Sequence, residues 1–168
     1  MTVSLMEFLT GLLHNRMFWS AASAWFIAQL TKNLIDLTKG GYTLDRIGGG
    51  GGMPSAHSAT VTGLCAAAGM TQGGDSGVFA VSLFLAIIVI YDALGVRWVT
   101  GRQSVILNRM RKAAQDEKKK SGAGGEEIFP EKPLPEKMGH TLPEIIAGIC
   151  IGLVCAYIVC AVIVPRIG

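Results

Sequence analysis

The sequence predicts an all-α integral membrane bundle, with about four membrane-embedded helices and one amphipathic interfacial helix. Three observations carry this. Half of the 168 residues are apolar and 16% are charged, with a mean hydropathy of +0.44, a balance more apolar than that of ordinary soluble domains. The apolar residues arrive in blocks close to the twenty or so needed to cross a bilayer. Nearly all the charge sits in one segment. A single domain over 1–168 follows, with a flexible loop at about 113–137, and disordered, collagen-like and disulfide-rich classes are excluded. A net charge of +3 is too small to suggest nucleic acid, so the membrane itself is the expected partner.

Taken in order, no secretory signal is expected at the start. The first charge is Glu7 and the only base before the first span is Arg16, so no basic region precedes an apolar run. The first span is about Met17 to Leu37, apolar for fourteen residues, with Lys32, Asn33 and Asp36 near its end and Trp19 and Trp25 as interface anchors. Ser55 to Met70 is short and built of Ala, Gly, Ser and Thr, the composition of a helix packed among helices and away from lipid. Val78 to Val96 and Pro143 to Val164 meet the spanning criterion outright. Between them, Trp98 to Lys112 places Trp98, Val99, Val105, Ile106 and Met110 near one face, as an interfacial helix does. The mixed Gly, Pro and charged stretch after it reads as a linker.

Lysines and arginines are distributed one-sidedly about these spans. Ten fall between Arg97 and Lys137, and Lys39 and Arg46 lie in the first loop, whereas Arg16 and Arg166 are alone on the side of the termini. The positive-inside rule therefore places the first and third loops on the cytoplasmic or equivalent face of a multi-pass protein. The four cysteines read as small buried hydrophobes. Cys150, Cys155 and Cys160 step by about 140° around a helix, so they share no face, and the residue pattern calls for neither a metal nor a cofactor.

Three segments carry candidate chemistry. In GGGGGMPSAHSA, the glycines Gly48 to Gly52 lead into Pro54, Ser55 and His57 at a helix start. Glycine backbone and a helix N-terminus together suit a phosphate, although Ser55 equally serves as an N-cap. In MGHTLPEIIAG, His140 precedes Glu144 by four residues, one turn, so the carboxylate can hold one ring nitrogen and leave the other for reaction. Thr141 to Glu144 also reads T-x-x-E, a capping box, and the two roles are compatible. In YDALGVRWVTGRQS, Asp92 ends an apolar span and Arg97 and Arg102 follow. An ionisable group at membrane depth marks a site by default and arginines clamp phosphate oxygens; the structural alternative pairs Asp92 with Lys32 or Arg97.

PSAHS followed by a distant H-x-x-x-E beside a membrane helix resembles the type 2 phosphatidic acid phosphatase superfamily of membrane lipid phosphatases, related to vanadium haloperoxidases. The glycine-PSAHSA, DALGVR and GHTLPEIIAG segments resemble its divergent branch and cover most of the chain. The resemblance implies a phosphatase acting on a lipid or prenyl phosphate or diphosphate through a phosphohistidine. His140 would be the nucleophile, Glu144 its orienting carboxylate and His57 the acid for the leaving oxygen. Ser55 and the glycine backbone would bind phosphate, with Lys32 as the first-motif lysine. The chain departs from the pattern at Ala56, where PSGH has glycine, after Lys32, where Arg-Pro is missing, and at Leu134, where arginine is expected. Arg97 or Arg102 would then supply that charge. The competing expectation is a non-enzymatic transporter or assembly factor that binds phosphate headgroups in the same pocket.

Overall fold

The computed structural model describes residues 4–38, 51–121 and 132–163. These form α1 (Leu5–Leu13), α2 (Arg16–Thr38), α3 (Ala56–Gln72), α4 (Gly77–Leu94), α5 (Val96–Ser121) and α6 (Leu142–Tyr157), the last running on into a π-helical turn, Ile158–Ile163. The all-α, membrane-type bundle expected from the sequence is what the chain adopts. The run that opens with α4, Gly77–Lys118, and Leu142–Val162 are long and apolar enough to cross a membrane. By the same measure α2, carrying Lys32 and Asp36, and the 17-residue α3 fall short.

Local chemistry sets the helix ends. Ser4 and Glu7 form a capping box on α1, a helix the sequence reading left unassigned. Asn15 turns the chain into α2 by accepting the Phe18 amide at 3.0 Å. Ser55 and Ser76 cap α3 and α4 through the Ser58 and Phe79 amides, and Gly73, at φ 88°, ends α3 in a conformation that favours glycine.

α3 is the centre of the bundle, packed against α2, α4 and α6. Small residues make this possible. A Cβ at Gly148 would run into the Ser55 carbonyl, one at Gly152 would lie 2.5 Å from the Ala59 carbonyl, and one at Gly63 2.9 Å from that of Ser20. Backbones therefore meet directly along both seams, as in close membrane-helix packing. The same contacts give directions. Positions 55, 59 and 63 of α3 advance with 148 and 152 of α6, so these helices run parallel. Gly52 meets Lys32 and Gly63 meets Ser20, so α2 is antiparallel to α3. On α4, Ala86 packs with Val61 and Cys65 while Phe79 approaches Gly69, again antiparallel. One end of the bundle thus collects the end of α2, the start of α3, the α4–α5 junction and the start of α6.

Two expectations need correction. The loop placed from residue 113 begins later, because α5 continues to Ser121. Ala113, Ala114, Gln115, Glu117 and Lys118 are strong helix formers, Asp116 and Lys120 are spaced to pair one turn apart, and the first glycine after them is Gly122. Cys150 is exposed, unlike Cys65, Cys155 and Cys160. The five-residue step that separates the cysteine faces turns Cys150 to the outside of α6.

Candidate active site

His140 sits on a strap, residues 132–141, that leads into α6. The strap is bound to α5 by Asn108, whose side chain donates to the Leu134 carbonyl (2.9 Å) and a Glu136 carboxylate oxygen (2.8 Å) and accepts the Leu134 amide (2.9 Å). Leu134, where the superfamily pattern has arginine, is therefore a backbone anchor. The strap next crosses α5 at Gly101, where a Cβ would lie 2.8 Å from the Glu136 carbonyl, and passes the α4–α5 junction at Gly139, where one would lie 2.6 Å from the Trp98 amide. Gly139 also has φ 78°, so both space and conformation require glycine there. The His140 amide then donates to the Ala93 carbonyl at 3.1 Å, and the residue is 5% exposed.

Glu144 fills both roles expected of it. One carboxylate oxygen accepts the Thr141 amide at 2.9 Å, closing the capping box, and lies 3.4 Å from Nδ1 of His140. A carboxylate on Nδ1 favours the tautomer whose lone pair is on Nε2. Burial pulls the His140 pKa below the ordinary histidine value, and the Glu144 charge opposes that shift without cancelling it.

His57, exposed in the first turn of α3, places its ring centroid 6.4 Å from that of His140 with the planes inclined by 57°. Lys32, buried at the end of α2, lies beneath Gly52, whose φ of 109° favours glycine and where an added Cβ would lie 3.0 Å from the lysine Cε. Lys32, Arg97 and Asp92 are all within electrostatic range of His57. Ser55 is fully buried. Its hydroxyl oxygen accepts the Ser58 amide and hydroxyl, and its amide donates to the Glu144 carbonyl at 2.9 Å, tying α3 to α6. Gly51 and Gly52 are described, whereas Gly48 to Gly50, Lys39 and Arg46 fall outside the described residues.

Beside His140 is a cavity of about 220 Å³ lined by Gly52, Trp98, Arg102, Met138, His140 and Glu144 among others. Arg102 stacks over the Trp98 ring at 5.0 Å. Of the other candidate residues, His57 approaches His140 from outside this cavity. Asp92 and Arg97 form a 2.6 Å ion pair, each partly exposed, which matches the structural pairing foreseen for them, and Arg102 is the arginine that lines the cavity with the histidine–carboxylate pair. Sequence reasoning missed Asn108, Gly101 and Gly139. The glycine beside His140 carried a readable signal, but a lone asparagine on an amphipathic helix carried none.

The class of protein is now defined: an all-α, membrane-type bundle with a buried histidine–carboxylate pair, a second histidine and basic residues gathered at one end. Residues 13–155 match the divergent PAP2 family, and the chain belongs to that family. It is 36% identical over 125 residues to an uncharacterized membrane protein, YuiD, of Bacillus subtilis (strain 168), covering 64% of this chain and 72% of that one. No solved structure matches.

Proposed function

We propose that the protein is a multi-pass membrane phosphatase that cleaves the phosphate or diphosphate of a lipid or prenyl alcohol through a phosphohistidine. The observation that carries this reading is the facing of His57 and His140 with Glu144 on Nδ1, beside a cavity holding Arg102. Nε2 of His140 attacks phosphorus while the bond to the leaving oxygen breaks, and His57 gives that oxygen its proton. Glu144 stabilises the cationic ring that results. Water then attacks the phosphohistidine, losing its proton to neutral His57, and inorganic phosphate leaves with His140 restored. Lys32, Arg102 and the Gly52 backbone supply charge and donors to the phosphoryl oxygens. The N-termini of the parallel helices α3 and α6 add the positive ends of their dipoles.

In the same proposal α2, α3, α4 and α6 cross the bilayer, with the site on the face of the basic loops. The substrate's chain then stays in lipid while its headgroup enters the cavity. Phosphate release by the purified full chain in detergent, from a panel of lipid and prenyl phosphates, tests the reading. Turnover supports it. Saturable binding without release points to the non-enzymatic alternative, which the Asp92–Arg97 pair favours by holding one of the two nearby arginines away from substrate.

A further inference from the structure

The opposite end of the bundle holds another cavity, this one mainly polar, of about 320 Å³, lined by Gly11, His14, Arg16, Thr71 and Gln72 among others. It lies between the end of α1, the start of α2 and the end of α3, the full length of α3 away from His57. Its cation, Arg16, has room for a ligand. His14 uses Nδ1 on the Thr10 carbonyl at 2.9 Å, which leaves Nε2, and among the described residues the Arg16 guanidinium has no hydrogen-bond or ion-pair partner.

α1 supplies the other half of the feature. Glu7, Thr10, Gly11 and His14 fall on one helical face, and the last two of these reach the cavity. The remaining positions are apolar, and none is buried against the protein: Leu5 is 74% exposed, Phe8 60% and Leu13 63%. The corner that carries α1 is nevertheless fixed, because the Trp19 indole donates to the Leu13 carbonyl at 2.9 Å and packs edge-on against Phe18 at 5.3 Å. Amphipathic tryptophan at a helix start is the pattern of a headgroup-level anchor. A helix with one strongly apolar uncovered face and one polar face lies in the membrane surface.

From this juxtaposition we infer a phospholipid site: α1 lies in the plane of the leaflet opposite the candidate active site, with acyl chains against Leu5, Phe8, Leu9 and Leu13 and the lipid's phosphodiester held by Arg16 and Gln72. A lipid is the occupant that fits, since a free anion would satisfy Arg16 and leave the apolar face in water. The one acid on α1, Glu7, is two turns from His14 and is engaged in its capping box. The inference rests on the proposal that α2 and α3 cross the bilayer and is independent of catalysis.

The test is titration of the detergent-purified full chain with phosphatidylglycerol, read as lipid adducts by native mass spectrometry, with inorganic phosphate as a competitor. The chain is expected to retain the lipid, and Arg16→Gln to weaken retention about tenfold, the loss of one hydrogen bond to a charged group. Phe8→Asn should weaken it as well, and because α1 has no buried residue that variant cannot open a core. Retention within twofold of the parent in both variants overturns the inference, as does displacement of the lipid by phosphate alone. Failure of the crossing reading is a different result: cysteines introduced at Ser4 and Gly51 would then label from the same side of a sealed membrane.

Discussion

α3 and α4 are consecutive helices of 17 and 18 residues, and they show how differently a membrane-type bundle uses its inner and outer helices. α3 buries eight residues, nearly all Ala, Ser or Gly with one Val and one Cys. α4 buries only Ser82, Ala86 and Ala93 and turns Val81, Phe84, Ile87, Ile88 and Tyr91 outward. Hydropathy therefore reports the helix that touches lipid. The helix that opens with Ser55 and His57 is the one that packs by close backbone approach, and its low hydropathy is a consequence of that packing. Its parallel partner α6 combines both uses, with Gly148 and Gly152 on the inner seam and Ile146, Leu153 and Val154 outside.

The largest contrast between inner and outer helices is expected in chemistry. His140→Ala should abolish phosphate release, by more than about a thousandfold, because the proposed mechanism makes it the covalent nucleophile. The protein should stay in the membrane fraction. His57→Ala, at the start of α3, should cost roughly 100- to 10,000-fold as the loss of a general acid, and less on a diphosphate, whose leaving group needs less protonation. Tyr91→Phe on the outer face of α4 should leave the rate unchanged. Measuring kcat for the three variants on one lipid phosphate checks this. Turnover by His140→Ala would remove the phosphohistidine mechanism.

In stability the contrast should be smaller but still plain. At Gly152 the first atom of a side chain meets the Ala59 carbonyl and, at 2.9 Å, the Gly63 amide, and backbone cannot turn aside as a rotamer can. Gly152→Leu should therefore cost at least the upper part of the usual overpacking range of about 1–3 kcal/mol. Ile88→Ala, at a position 64% exposed on α4, should stay within about 0.5 kcal/mol. Thermal unfolding in detergent, followed by size-exclusion chromatography, would compare them. Equal midpoints would mean that the α3–α6 seam is not the rigid centre of the bundle.

The sequence made the four longer apolar or small-residue helices legible to within a few residues, because lipid contact and close packing each leave a composition. It also exposed His57, His140 and Glu144, since a helix start and a one-turn spacing are local patterns. What it concealed was set by distant backbone. α1 has no core contact to impose a pattern beyond its cap. The extension of α5 was masked by charge that looks like a linker. Asn108 matters only because residues 26 positions away fold back onto it, and the pairing of Arg97 with Asp92 in place of Lys32 was one of two geometries the spacing allowed.

The smallest expected effect separates the two roles of Glu144. Glutamine can still accept the Thr141 amide, so Glu144→Gln should leave the α6 cap, and with it the unfolding midpoint, nearly unchanged. It cannot balance a cationic imidazole, and the rate on the pH plateau should fall by roughly 10- to 150-fold, the range of about 1.5–3 kcal/mol for a hydrogen bond to a charged group. The pH profile supplies the sign. His140 must be neutral to attack, and burial lowers its pKa, so the acid limb of kcat/KM should lie below the unperturbed value of about 6.5. Because the Glu144 charge is one of the influences that raise that pKa, removing it should move the acid limb further toward low pH. The same shift affects stability: the unfolded histidine binds its proton more readily than the folded one, so stability should fall as pH drops through about 6.5 toward the folded pKa, and this loss should begin at the same pH in both proteins while running on to lower pH in Glu144→Gln. An acid limb that stays in place while the plateau is unchanged would make Glu144 a helix cap and nothing more, and the histidine would then need another group to hold its tautomer.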